Sequence, residues 1–107
     1  MNKCNDACFH LVDILLRFMS TVDALLREGY VEEARRAGLT GYIVASILSD
    51  AYAEAGLTTS DFYNKFRRVL IMFKDLIYSL DTETISITAI EGIRAAFEDI
   101  VPIVAVA

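Results

Sequence analysis

The sequence contains little proline, cysteine and histidine. Its 107 residues include one proline, two cysteines and one histidine, and the five glycines are scattered. A sequence with so few helix-breaking residues is typical of helices joined by short turns. Cys4 and Cys8 are too few for a disulfide scaffold, and we expect a cytoplasmic location to keep both reduced.

A membrane-spanning segment is also missing from the sequence. The longest apolar runs are Val69–Phe73 and Ile100–Ala107, and Pro102 interrupts the second. Both are far shorter than the roughly 20 residues that cross a bilayer. The polar first residues, MNKCNDACFH, do not resemble a secretory signal. We therefore expect no membrane partner.

Basic charge is in the minority. Ten lysines and arginines against fifteen aspartates and glutamates give a net charge of −5, which argues against non-specific binding to nucleic acid. Hydrophobic residues make up 55% of the chain, above the roughly 45–50% of an average globular domain. The length predicts one domain over residues 1–107. The apolar excess predicts a cover, which is a second copy, another protein or another part of this chain, and a second copy is the preferred prediction.

The apolar periodicity predicts a helical bundle. A helix is expected from Asn5 to Glu28, where apolar residues recur at three- and four-residue spacings, and Gly29 would end it. A short connecting helix is predicted from Val31 to Ala37, with Gly38 as its stop. The next helix is expected from Thr40 to Ala55, and it carries these apolar residues on one side: Ile43, Val44, Ile47, Leu48 and Ala51.

A further helix start is predicted at Thr58, which would cap the helix with Asp61 three residues later. This helix should extend to Leu80. We expect it to pack against the first helix as the principal pair, because in both helices the apolar residues recur at three- and four-residue spacings and form a stripe along one side. The fold prediction is therefore an all-α bundle of four main helices plus a short connecting helix. Its fourth main helix would start with the capping box Thr88–Glu91 and run through Ile100.

Two segments keep alternatives open. Residues 84–88 alternate between polar and apolar side chains in the manner of a strand, and the residues after Pro102 have a strand-like composition. Helix is the prediction for the body of this region. The conformations of residues 82–88 and 101–107 stay open, including a short extended C-terminal tail.

Catalytic and metal-binding patterns are weak. On a helix His10 would lie about 200° around from Cys8, so Cys4, Cys8 and His10 do not converge on a metal. A glycine-rich phosphate loop and a serine elbow are absent from the sequence. Acidic residues instead precede basic ones by four positions, as in Asp13 and Arg17, which is typical of solvated helix faces. We predict no enzyme, no metal and no cofactor.

Two interaction surfaces are predicted. Ile71, Met72 and Tyr78 lie outside the apolar stripe of their helix, and together with Ile103 and Val104 they are the predicted homodimer interface. The alternative is a helix-turn-helix DNA-binding protein, because a turn that contains Gly56 joins the helix ending at Ala55 to the helix starting at Thr58. Its DNA contacts would be Thr58, Thr59, Ser60, Asn64, Lys65, Arg67 and Arg68.

Overall fold

The computed structural model describes residues 5–80, together with Ala95, which is helical. Within this part of the chain there are three helices and no strand: α1 (Asn5–Arg27), α2 (Val31–Glu54) and α3 (Ser60–Ser79). The all-α class is confirmed. None of these three helices is long and apolar enough to cross a membrane. The predicted helix after Thr88 and the C-terminal tail lie outside the described residues.

The prediction of a short connecting helix was wrong, because α2 is continuous. Gly38 was expected to end a helix, but it is buried inside α2, and so is Gly41. A Cβ atom at Gly38 would overlap Ile77 Cδ1, and one at Gly41 would lie 2.6 Å from Phe18 Cβ. Both glycines therefore serve close packing between helices, and they do not interrupt α2.

The glycines that do end helices are Gly29 and Gly56. Their φ angles are +84° and +73°, a left-handed conformation that glycine adopts without a Cβ penalty. The peptide N–H of Tyr30 bonds to the Leu25 carbonyl oxygen at 2.9 Å and closes the first helix end. These stops were predicted correctly.

The cap of α3 is one residue later than predicted. The side chain of Thr59, and not that of Thr58, accepts a hydrogen bond from the Phe62 N–H at 3.1 Å. Thr59 has the extended backbone typical of a capping residue, with φ −82° and ψ 156°. The first helical residue is accordingly Ser60.

Successive helices run antiparallel, and α2 is the central one. His10 contacts Tyr52 near one end of the α1–α2 pair, and Phe18 faces Gly41 further along. The backbone of α2 approaches those of both α1 and α3 closely, whereas α1 and α3 approach each other less. The predicted principal pair, α1 with α3, was therefore wrong, because the small residues of α2 allow the closer contacts.

The core combines large side chains from α1 and α3 with small ones from α2. The rings of Phe62 and Phe66 stack with centroids 5.4 Å apart. The buried residues of α2 follow a helical spacing and are all small: Ala34, Gly38, Gly41, Ala45 and Ser49. The α1 stripe is confirmed, since its apolar residues are buried or pack against the core.

Cys8 is buried in this core and takes part in a disulfide, which corrects the expectation of reduced cysteines. The other cysteine of the sequence, Cys4, lies outside the described residues.

Candidate protein interaction face

Polar contacts hold α2 beside α3 along one edge of the bundle. The Tyr63 hydroxyl donates a hydrogen bond to Asp50 Oδ1 at 2.6 Å, and Arg67 Nη1 donates one to the Tyr63 oxygen at 3.2 Å. Arg67 Nη1 also lies 3.6 Å from Asp50 Oδ1. The hydrogen bond to Tyr63 is the main cause that raises the pKa of Arg67. Further along, Lys74 Nζ lies 5.7 Å from the centroid of the Tyr42 ring.

These contacts fix how the two helices are aligned. Asp50 pairs with Tyr63 and Arg67 near the connecting turn, Tyr42 pairs with Lys74 further along, and Gly38 meets Ile77 beyond that. The helices therefore run side by side over most of their length as an antiparallel hairpin.

Large apolar side chains project from α2 on the side opposite its buried stripe. Ile43 is 54% exposed and Ile47 is 63% exposed. At 100° per residue the two lie about 40° apart, and about 180° around the helix from the small buried residues. Both were expected on one side of the helix, and that side is exposed while the stripe of small residues faces the core. The small stripe occupies that position because it lets α2 approach both neighbours.

Two of the predicted interface residues are exposed on α3. Ile71 is 48% exposed and Tyr78 is 60% exposed. They lie seven positions apart and therefore on one side of the helix. Met72 differs, because its side chain is partly buried and packs against the core. Ile103 and Val104 lie outside the described residues.

The exposed residues of the two helices form one surface, which we call the α2–α3 face. Ile43 lies seven residues before Asp50, and Ile71 lies four residues after Arg67, so both flank the seam where α2 meets α3. The Tyr42–Lys74 contact places Ile43 level with Ile71 to within about two residues, or about 3 Å along the helices. The α2–α3 face consists of Ile43, Ile47, Ile71 and Tyr78.

Charged residues surround this face. On α2, Arg36 lies toward one end and Glu54 lies at the other, and both are exposed. Arg68 and Asp75 are exposed on α3, on either side of Ile71. An apolar centre with a charged rim is the usual anatomy of a protein–protein interface.

The residues of the DNA-binding alternative lie in different environments. Thr59 is occupied as the helix cap, and Thr58 Oγ1 is buried. Ser60, Asn64 and Arg68 are exposed, and Lys65 is half-buried. Arg67 is held by Tyr63 and Asp50.

Three further basic residues of α2 and α3, Arg35, Arg36 and Lys74, contact neighbouring side chains. Glu32 forms ion pairs with Arg35 and Arg36, and its pKa is lowered chiefly by the hydrogen bond from Arg35. Lys74 lies over the Tyr42 ring. The hairpin formed by α2 and α3 also differs from a helix-turn-helix reader, whose helices cross at about 90–120°. Both features reduce the support for DNA binding.

A shallow open cleft of about 420 Å³ lies elsewhere, between the start of α1 and the end of α2. Its lining includes Asp6, His10, Tyr52 and Leu57, and His10 Nδ1 is hydrogen-bonded to the Tyr52 hydroxyl at 2.8 Å. This contact joins α1 to α2. Among residues 5–80 and Ala95, histidine, cysteine and acidic side chains form no group of three able to hold a metal ion.

The described residues define this chain as an all-α protein in which two adjacent helices expose large apolar side chains. Comparison with protein-family models, with curated proteins and with solved structures found no significant match.

Proposed function

We propose that this chain is a non-enzymatic helical interaction protein that acts as a homodimer through the α2–α3 face. One observation carries the proposal: four large apolar side chains of this face are between 48% and 63% exposed. Single exposed apolar residues are common on monomers, but a cluster on adjacent helices with a charged rim is typical of an interface. A bound copy would remove this surface from water at about 25 cal/mol per Å² before the costs of association.

The proposed interface includes Ile71 and Tyr78 and extends to Ile43 and Ile47. Met72, Ile103 and Val104 stay predicted interface residues. A dimer would leave other surfaces of each bundle, including the acidic ones, for a different protein partner. Such a protein would act as a scaffold or adaptor.

Ile71→Glu is the variant that tests this proposal. We expect it to weaken the dimer at least tenfold, because a charge would be placed in the apolar centre of the interface. The dissociation constant is measured by sedimentation velocity over a dilution series. Ile71 suits this test better than Met72, since a glutamate at the partly buried Met72 would also disturb the core.

Leu16→Glu is the matched control for this test. Leu16 is 42% exposed on α1, outside the α2–α3 face, so the same charge there should leave the dissociation constant within about twofold of the wild type. Equal effects of the two variants would contradict a specific role for the face.

The alternative function, helix-turn-helix DNA binding, has a direct test. We expect micromolar protein not to retard a DNA duplex in a gel at low salt, because the net charge is −5 and Arg67 is paired with Asp50. A retarded band that weakens steeply with added salt, and that Arg68→Glu abolishes, would instead support the DNA-binding alternative. Arg17→Glu on α1 makes the same charge change outside the predicted DNA-contact residues and serves as the control.

A further inference from the structure

The side chains on the outer side of α2 are arranged so that an antiparallel copy of the same helix would complement them in charge and in apolar contacts. Arg36 and Glu54 are nine positions before and after Ala45, and Ile43 and Ile47 are two positions before and after it. At 100° per residue all four point within about 40° of one another. An antiparallel copy of α2 centred on Ala45 would therefore place Arg36 opposite glutamate and Ile43 opposite isoleucine.

The outer side of α3 has the same property. Arg68 and Asp75 are exposed and lie at equal distances from the midpoint between Ile71 and Met72. Their directions differ by about 20° at 100° per residue. An antiparallel copy of α3 about this midpoint would bring arginine opposite aspartate and would place Ile71 at the centre.

The two centres lie at the same height in the bundle. The Tyr42–Lys74 contact places Ala45 level with Ile71, and the Gly38–Ile77 contact places it level with Leu70. The midpoint on α3 is thus within about two residues, or about 3 Å, of the centre on α2. One two-fold axis, perpendicular to both helices and lying in the plane of the face, can therefore satisfy both patterns.

We infer that two copies of this chain pack α2–α3 face against α2–α3 face about a two-fold axis level with Ala45. Each helix lies antiparallel to its counterpart. Arg36 faces the partner's Glu54, Ile43 faces the partner's Ile47, and Arg68 faces the partner's Asp75. This inference rests on the proposed homodimer and specifies its geometry.

The size and charge of the face suit a second copy. Two helices about 10 Å wide and about 30 Å long cover about 600 Å² per chain, or about 1,200 Å² in the dimer. That is the lower end of the range for specific interfaces. An antiparallel copy places an acid opposite Arg36 and a base opposite Glu54 at once. Closed two-fold dimers are the commonest symmetric assemblies.

Charge reversal tests the geometry. Arg36→Glu and Glu54→Arg should each weaken their own dimer about tenfold at low salt, because each variant places two like-charged pairs across the interface. An equimolar mixture of the two variants should form a heterodimer with nearly wild-type affinity, since both of its pairs are again of opposite charge. The double variant R36E/E54R should recover in the same way.

Arg17→Glu is the matched control. Like Arg36, Arg17 forms an i,i+4 ion pair with an acid, and the two side chains are 79% and 78% exposed. Its reversal makes the same change in net charge on α1, so the dissociation constant should stay within about twofold of the wild type. Circular dichroism of each variant verifies that the helices remain folded.

The possible results test the two-fold arrangement separately from the homodimer proposal. Recovery in the mixture supports the two-fold arrangement. A wild-type dimer that is unchanged by Arg36→Glu, or single variants that do not recover on mixing, would overturn this arrangement and leave the homodimer proposal standing. A tighter dimer of Arg36→Glu would also overturn it, because the arrangement places that glutamate opposite the partner's Glu54. A wild-type monomer at micromolar concentration would overturn both.

Discussion

Gly41→Ala is expected to lower the free energy of unfolding by about 2–3 kcal/mol, although alanine favours helices by about 1 kcal/mol over glycine. The new Cβ would lie 2.5 Å from Phe18 Cγ and 2.6 Å from Phe18 Cβ. The Phe18 Cβ is attached directly to the backbone of α1, so the clash is relieved only if α1 and α2 move apart. Urea unfolding followed by circular dichroism measures the change.

Two further variants make this prediction specific. Thr40→Ala changes the exposed neighbour of Gly41 and should alter stability by less than about 0.5 kcal/mol. Gly38→Ala should cost less than Gly41→Ala, because its nearest contact is the terminal Cδ1 of Ile77, which can rotate, and not a Cβ atom. A Gly41→Ala protein as stable as the wild type would show that α1 and α2 do not pack this closely.

Phe66→Ala is expected to cost about 3–5 kcal/mol, a large part of the roughly 5–15 kcal/mol that stabilises a typical domain. Phe66 has no exposed surface and stacks on Phe62, so its truncation leaves a cavity between α3 and the other helices. For a domain of about 100 residues the melting temperature should fall by more than about 12 °C.

Phe9→Ala is the control for this prediction. It removes the same ring from a position on α1 that is 52% exposed, so its cost should be below about 1 kcal/mol. Both melting temperatures are compared at one protein concentration, because dimerisation makes the melting temperature depend on concentration. Similar losses for both variants would contradict the position of Phe66 in the core.

The helices α1 and α3 could be predicted from the sequence because their buried residues are also their large apolar residues. Leu11, Leu15, Phe66 and Phe73 recur with helical spacing and are all buried. The helix ends at Gly29 and Gly56 could also be predicted, because the local backbone conformation alone decides where these helices end.

The central helix could not be predicted in the same way. Its buried side is marked by small residues, and a search for large apolar ones selects Ile43 and Ile47, which are exposed. Gly38 is ambiguous in a sequence, because a glycine can end a helix or allow another helix to approach. Only the position of Ile77, far along the chain, decides between the two.

Only part of the α2–α3 face could be predicted from the sequence. Ile71 and Tyr78 could be identified because they lie outside the stripe of their own helix. Ile43 and Ile47 were missed as surface residues, although one signal was available: the small residues from Ala34 to Ser49 recur at four- and three-residue spacings on the opposite side. This pattern predicts a helix with close neighbours on its small side and an exposed apolar side.

The most direct test of the homodimer is the mass of the wild-type protein in solution. Sedimentation equilibrium at micromolar concentration should give 23.8 kDa, twice the 11.9 kDa of one chain. A mass of 11.9 kDa throughout that concentration range would contradict the proposed homodimer.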